Sequence, residues 1–328
     1  MAEYEIQLGE RQFNCNTDES LLDALLKENI EISYGCKQGA CQSCLMRSLD
    51  GAPPVESQHG LTPAQKQQHF FMACRCYPQH NMRVGYHHHA DFVTQGTVTS
   101  KQNLNPETLL LTLAIDDPID YYAGQFVNLC RDDGLTRSYS IANNRIHQQQ
   151  LSFHIRRLAG GRFSEWAHDE LQPGDRLAVS EPQGLCYYQA DNSQQSLLLI
   201  GTGSGLAPLA GIISEALHQQ HQGPIHLYHG SRDLNGLYWV EEMQQLGEQY
   251  PNFHYRPCIS KGEPPAGMFT GRANDVAFKD LSDLKGWRLF LCGHPEMVNA
   301  SKLQAFLMGA SMADIYADAF HIASASLD

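Results

Sequence analysis

A loop of three cysteines constrains this chain more than any other feature of its sequence. Cys36, Cys41 and Cys44 follow the pattern C-x4-C-x2-C, and a further cysteine, Cys74 or Cys76, stands at a distance. This is the plant-type spacing for a [2Fe–2S] cluster, whose two irons need four thiolate ligands. Small residues in the loop let backbone N–H groups approach the cluster sulfurs. We therefore predict an iron–sulfur cluster on this loop.

A zinc site with four thiolates is the alternative for these cysteines. Zinc sites favour short C-x2–4-C pairs on both sides, whereas this loop has three cysteines on one side. The spacing alone leaves the fourth ligand open between Cys74 and Cys76. We interpret the cysteines outside the motifs as ordinary apolar residues, namely Cys15, Cys130, Cys186 and Cys258.

Length and charge limit the class of protein. The 328 residues suggest two or three domains, and the formal net charge of −13 argues against nucleic-acid binding. The acidic surface serves solubility or steers the protein toward a basic patch on a partner. No run of about 18 apolar residues is present, and the N-terminus lacks a signal-peptide pattern. We expect a cytoplasmic protein that does not bind membranes.

The chain divides into three segments with different periodicities. Residues 1–90 combine an alternating strand with a helical pattern over Ser20–Asn29, for which Ser20 or Asp18 is the cap. They end in a polar stretch with three histidines, 87–89, which we interpret as a linker rather than a metal site. Residues 91–190 predict an antiparallel barrel with strands at Gly96–Thr99, Leu109–Ile115, Gln125–Leu129, Ser138–Ala142, Leu151–Arg157 and Arg176–Ser180.

Strands and helices alternate in residues 191–328, which predicts a parallel, doubly wound α/β domain. The predicted strands are Ser196–Ile200, Ile225–His229, Phe253–Cys258 and Arg288–Cys292. The predicted helices are Pro208–Leu217, Trp239–Gln249 and Pro295–Met308.

Two motifs in the barrel segment suit a flavin dinucleotide. Arg137, Tyr139 and Ser140 lie on one predicted strand, where the arginine can pair with a diphosphate and the tyrosine can pack on a flavin ring. The sequence Gly160–Ser164 then opens a predicted helix, Ser164–Leu171, whose free N–H groups can hold phosphate oxygens. Ser164 is a candidate both for the helix cap and for the phosphate site.

A glycine-rich turn in the third segment suits a nicotinamide dinucleotide. Gly201, Gly203 and Gly205 follow an apolar strand and open a helix, although Leu206 breaks the strict G-x-G-x-x-G pattern. After the next strand, Ser231 and Arg232 suit a 2′-phosphate, whereas the adjacent Asp233 repels one. We expect NADH, with NADPH as the alternative.

With these motifs in order, the chain resembles the ferredoxin–NADP reductase superfamily with an N-terminal ferredoxin domain. It is most similar to the naphthalene dioxygenase reductase group among the reductase components of ring-hydroxylating oxygenases. The stretches Gly286–Gly293 and Ile315–Phe320 carry the resemblance most specifically. The resemblance implies an α+β ferredoxin (β-grasp) domain over 1–90, an FAD-binding barrel over 91–190 and an NAD(P)-binding α/β domain over 191–328.

The resemblance also assigns roles to residues. It favours Cys74 as the fourth ligand beside Cys36, Cys41 and Cys44, and it places Ser140, Cys292 and Phe320 at the reaction centre. Phe320 would cover the flavin face, although eight residues follow it; the alternative is a core aromatic. The full set expected to bind FAD or the nucleotide is Arg137, Tyr139, Ser140, His154, Arg156, Gly161, Arg162, Phe163, Ser164, Gly201, Thr202, Gly203, Gly205, Ser231, Arg232, Gly293, Met297 and Phe320.

These features predict an electron-transfer reductase with a [2Fe–2S] cluster, FAD and NADH as cofactors. Its expected acceptor is a redox protein, either the ferredoxin or the terminal oxygenase component of an aromatic ring-hydroxylating oxygenase. The alternatives are a reductase for another acceptor, such as a deoxysugar dehydrase or a monooxygenase hydroxylase, and a non-catalytic redox sensor. We expect a monomer.

Overall fold

The computed structural model describes residues 3–30, 32, 37, 44–61, 63–86, 92–146 and 149–320. Cys36, Cys41, the histidines 87–89 and the tail after Phe320 lie outside the described residues. The chain divides into two compact units, Met1–Ala90 and Asp91–Asp328.

The first unit is built on a five-stranded mixed sheet with the order β2-β1-β5-β3-β4. Strand β1 runs parallel to β5, and the other pairings are antiparallel. Ser20 is the helix cap, because its Oγ accepts a hydrogen bond from the Asp23 N–H at 3.2 Å. The strands are β1 (Glu3–Leu8), β2 (Arg11–Asn16), β3 (Leu45–Ser48), β4 (Phe70–Met72) and β5 (Met82–Tyr86), and the helices are α1 (Leu21–Lys27) and α2 (Pro63–Gln67).

The second unit begins with a six-stranded antiparallel sheet of order β10-β7-β6-β11-β8-β9. An antiparallel bridge between Ile141 and Phe153 and a 2.8 Å bond from the Ala142 N–H to the Ser152 carbonyl join its two edges, which closes a barrel. The elements are β6 (Phe92–Asn105), β7 (Thr108–Ile115), β8 (Phe126–Cys130), β9 (Thr136–Ser140), β10 (Gln150–Arg156), α3 (Arg162–Asp169) and β11 (Arg176–Ser180).

A parallel six-stranded sheet of order β15-β14-β13-β12-β16-β17 completes this unit. The chain starts at β12, moves outward on one side and returns to β16 on the other, so the carboxyl ends of β12 and β16 flank a topological switch point. The elements are β12 (Leu197–Thr202), α4 (Leu206–His218), β13 (Ile225–Ser231), α5 (Val240–Gln249), β14 (Phe253–Ile259), β15 (Phe269–Thr270), α6 (Ala273–Asp280), β16 (Arg288–Gly293), α7 (Pro295–Leu307) and β17 (Ile315–Ala319).

Three elements of the nucleotide domain escaped sequence-based prediction: β15, α6 and β17. Strand β15 has only two residues, α6 buries only Ala273, Val276 and Ala277, and β17 buries only Tyr316. Strands β15 and β17 lie at the two edges of the sheet, and α6 is a short helix of eight residues, so each of the three buries too few side chains to produce a clear apolar period. Helices α4 and α7, with 13 residues each, are the longest helices in the described part of the chain. None of the helices there is long and apolar enough to cross a membrane.

Candidate functional site

A cleft of about 1630 Å³ lies between the barrel and the carboxyl ends of the parallel strands. It is lined by β8, β9, β10, the start of α3 and the turns that follow β12, β13, β16 and β17. Pockets for one small ligand usually measure about 300–1,000 Å³, so this cleft has room for more than one ligand.

The barrel side of the cleft brings the predicted flavin residues of β9 together. Arg137 and Tyr139 lie two residues apart and both line the cleft. The Tyr139 ring packs on Phe163 of α3 with ring centroids 5.3 Å apart. Ser140 donates a 3.4 Å hydrogen bond from its Oγ to the carboxylate of Asp318 on β17. The strand therefore presents a cation, an aromatic ring and a hydroxyl to the same space.

The helix predicted to begin at Ser164 begins two residues earlier, at Arg162, with Gly161 as its cap. Ser164 shapes the preceding loop, since its Oγ accepts from the Leu158 N–H and donates to the Gly161 carbonyl, both at 3.1 Å. At the far end of α3, the Lys101 ammonium donates to two backbone carbonyls at 2.7 and 3.0 Å. The N-terminus of α3, with its free N–H groups, lies at the cleft.

Arginine side chains give the cleft its anion-binding character. Five arginines line the cleft. Arg156 pairs with Glu107 at 2.9 Å, whereas the other four cleft arginines form no ion pair within the part of the chain that the structure describes. Four carboxylates also line the cleft, so the five arginines leave it near +1 (5 − 4), against a net charge of −13 for the chain. The guanidinium groups suit the diphosphates of FAD and of a nicotinamide nucleotide. The five arginines are Arg137, Arg156, Arg162, Arg232 and Arg272.

The glycine turn after β12 is built for close approach of backbone segments. Gly203 has a φ of +55° and lines the cleft together with Thr202. A Cβ on Gly205 would lie 2.3 Å from the Cys292 carbonyl oxygen, and one on Gly201 would lie 2.7 Å from a Leu209 methyl. Gly201 and Gly205 do not line the cleft; they allow the turn to pack against β16 and α4.

The carboxyl ends of β16 and β17 lie on the side of β12 opposite β13. The residues predicted for this part of the cleft are near these two strand ends. Phe320, Gly293 and Met297 line the cleft, and the Phe320 N–H donates to the Gly293 carbonyl at 2.8 Å. Cys292 does not line it. Its thiol is fully buried and lies 3.5 Å from the Cys186 sulfur, and burial raises the pKa of the Cys292 thiol well above its usual value.

Sequence reasoning missed Asp318 and Arg272, which both line the cleft. Asp318 lies on β17, two residues before Phe320, which directly follows the strand. Because residues two apart in a strand point to the same face, the prediction for Phe320 could have included Asp318. Arg272 is the cap of the unpredicted helix α6, and it lines the cleft with Ser231 and Arg232 where β13 ends, a part of the cleft that we call its outer end. The loop after β14 supports this end through a 2.8 Å bond from the Lys261 N–H to the Arg232 carbonyl.

The two described cysteines of the predicted cluster set come from neighbouring backbone segments. The Ala73 N–H donates to the Cys44 carbonyl at 3.0 Å, which brings the segment of Cys74 beside that of Cys44. Cys76 is fully buried, and its thiol is close enough to Cys15 for the two groups to interact electrostatically. The geometry of the described part therefore suits Cys44 and Cys74 as ligands of one cluster better than Cys76.

Comparison with known proteins follows the same division of the chain. Residues 5–79 match the family model described as a 2Fe-2S iron-sulfur cluster binding domain, 95–188 match an oxidoreductase FAD-binding domain and 199–302 match an oxidoreductase NAD-binding domain. The reductase component of the naphthalene 1,2-dioxygenase system from Pseudomonas putida is 30% identical over 326 residues, which is 96% of this chain and 98% of that one. This chain belongs to the ferredoxin–NAD(P)⁺ reductase family. The resemblance, the fold class and the three cofactor-binding domains inferred from the sequence are confirmed.

Other members of this family support the assignment. The reductase subunit of an aromatic O-demethylase from Amycolatopsis is 30% identical over 313 residues, covering 90% of this chain and 92% of that one. The crystal structure of the Amycolatopsis cytochrome P450 reductase GcoB has a TM-score of 0.69 and 28% identity, covering 97% of this chain and 98% of that one.

Proposed function

We propose that this protein transfers electrons from NAD(P)H through FAD and a [2Fe–2S] cluster to the ferredoxin or terminal oxygenase component of an aromatic ring-hydroxylating oxygenase. The single observation that carries the proposal is that one cleft joins the flavin motifs of the barrel to the glycine turn of the nucleotide domain. Two bound dinucleotides would thereby meet face to face. The relative from Pseudomonas putida, similar over nearly its whole length, supports the class of acceptor.

FAD bound in this cleft supplies the exchange between a two-electron donor and one-electron carriers. Arg137 and the N-terminus of α3 would hold its diphosphate, and Tyr139 and Phe320 would contact its ring system. Phe320 would also exclude water from the reacting atoms. Gly203 and the outer arginines hold the nicotinamide nucleotide.

The Ser140–Asp318 hydrogen bond borders the position where the nicotinamide would dock, whereas Cys292, predicted for the reaction centre, is buried behind the cleft wall. Hydride transfer needs geometry rather than a general acid or base, so Ser140 and Asp318 orient the reactants. We propose NADH as the preferred donor. NADPH is the alternative, because Arg232 and Arg272 lie together at the outer end of the cleft.

A monooxygenase hydroxylase is the second candidate acceptor. The phenol hydroxylase P5 protein of Acinetobacter pittii is 31% identical over 299 residues.

We also propose a cytoplasmic monomer, in which the eight cysteines whose side chains the structure describes stay reduced.

The decisive experiment is an anaerobic titration of the purified protein with NADH, and separately with NADPH, followed by visible absorbance. FAD accepts two electrons and the cluster accepts one, so full reduction requires about 1.5 equivalents of the preferred nucleotide. Bleaching of the flavin at about one equivalent, with the cluster still oxidised, would withdraw the proposed electron path. A chain that neither nucleotide reduces would be a redox sensor rather than a reductase.

A further inference from the structure

A buried tyrosine hydroxyl connects the barrel to the glycine turn of the nucleotide domain. The Tyr238 hydroxyl lies 2.9 Å from Nδ1 of His154 on β10 and 3.3 Å from the Gly203 carbonyl oxygen. Both side chains are about 97% buried. Arg156, two residues along β10, faces the same turn, because a Cβ on Gly203 would lie 3.6 Å from its Nη1. Strand β10 is therefore where the flavin barrel contacts the nucleotide turn.

The direction of the hydrogen bonds follows from the groups involved. The Tyr238 hydroxyl makes two hydrogen bonds but has one proton. Because the Gly203 carbonyl oxygen can only accept, the hydroxyl donates its proton to that oxygen. The Nδ1 of His154 must then carry a proton and donate to the Tyr238 oxygen. Burial lowers the pKa of His154 to about 3, so the imidazole stays neutral at physiological pH. We call these two hydrogen bonds the bridge: His154 Nδ1–H donates to the Tyr238 oxygen, and the Tyr238 hydroxyl donates to the Gly203 carbonyl.

The backbone beside the bridge adopts a conformation that disfavours most side chains. Trp239 has a φ of +55°, in the left-handed region, and its ring meets His154 edge-on with centroids 4.5 Å apart. Such conformations persist only where the surrounding structure enforces them. Here the left-handed residue lets Tyr238 and Trp239 both pack against His154.

We propose that Tyr238, held by His154, is a positioning residue for the nicotinamide nucleotide. Its hydroxyl and the Leu206 N–H both donate to the Gly203 carbonyl, and because both donors are buried, this carbonyl is directed into the protein. Because the peptide is planar and trans, the Ser204 N–H then points in the opposite direction, as a donor for the nucleotide pyrophosphate. Ser204 lines the cleft. This inference rests on the proposed function, since it assumes that the turn binds a nicotinamide nucleotide.

Replacing Tyr238 by phenylalanine removes the bridge and keeps the ring. Tyr255→Phe is the matched control, because the Tyr255 hydroxyl also meets a buried histidine, His229, at 3.1 Å, and has no bond to the turn. We expect Tyr238→Phe to raise the Kd of NAD⁺, measured by calorimetry on the FAD-loaded full chain, about three- to tenfold. KM for NADH should rise in parallel, whereas kcat and FAD content should stay unchanged. Tyr255→Phe should leave the Kd of NAD⁺ within about twofold.

The single variant His154→Gln and the double variant with Tyr238→Phe test whether the two residues act as one unit. His154→Gln combined with Tyr238→Phe should raise the Kd no further than the more severe single change, because both remove the same bridge. An unchanged Kd in Tyr238→Phe, or an equal rise in Tyr255→Phe, would overturn the positioning role. If the unmodified protein binds neither NAD⁺ nor NADP⁺, the proposed function fails instead.

Discussion

At the scale of single residues, Arg137 offers the clearest test of flavin binding. It lines the cleft, and its only recorded bond in the described part of the chain is from Nη1 to the neighbouring Thr136 carbonyl at 2.7 Å. Its charge is therefore available to a diphosphate. We predict that Arg137→Gln weakens FAD binding about 10- to 100-fold, the usual value of a hydrogen bond to a charged group. Fluorescence titration of the deflavinated protein with FAD measures this change.

Arg131 provides the control on the same barrel. Its guanidinium pairs with Asp133 at 3.1 Å and lies 4.4 Å from the centre of the Trp166 ring, and it does not line the cleft. Arg131→Gln should therefore keep its affinity for FAD. Equal losses in both variants would show that the barrel, rather than a phosphate contact, had been damaged.

At the scale of elements, the short segment after β4 places two cysteines in different surroundings. Cys74 stands in a segment whose backbone is bonded to Cys44, whereas the Cys76 thiol is buried near Cys15. We predict that Cys74→Ser abolishes the iron–sulfur absorbance and lowers the iron content, because two irons need four thiolates. Cys76→Ser should retain the cluster. Loss of iron in Cys76→Ser with retention in Cys74→Ser would reverse the assignment.

At the scale of the whole molecule, two buried histidines and one half-buried histidine link stability to pH. Burial lowers the pKa of His154 and His229 to about 3 and that of His226 to about 4. Because the unfolded pKa is about 6.5, only the unfolded chain takes up these protons as the pH falls below that value. The free energy of unfolding should therefore be highest above about pH 6.5 and decrease toward about pH 4. The decrease is up to about 1.4 kcal/mol per pH unit for each of the two fully buried histidines, and less for His226, whose charge solvent partly screens.

Urea denaturation of the unmodified chain and of His226→Gln at a series of pH values checks this prediction. The variant should show a shallower dependence of the unfolding free energy on pH, because one titrating group is gone. A stability that stays constant between about pH 6.5 and about pH 4.5 would contradict it.

The sequence predicted the architecture well because its signals are local. The barrel strands alternate, the glycine turn follows an apolar strand, and most lining residues stand in short motifs. The contributions of Asp318, Arg272 and Tyr238 arise only when distant segments meet: β17 with β9, α6 with β13, and the start of α5 with β10. Residue spacing along the chain does not show which distant segments come into contact, so the roles of these residues could be identified only from the structure.

The tight packing at Gly205 also limits how this protein can evolve. Every single-base change in a glycine codon that alters the residue adds a Cβ, and here that atom would lie 2.3 Å from the Cys292 carbonyl oxygen. The position is closed to stepwise drift, and the packing of the glycine turn against β16 is fixed by geometry. A lineage that changes its nucleotide donor has more freedom at Ser231, Arg232 and Arg272, whose side chains line the cleft.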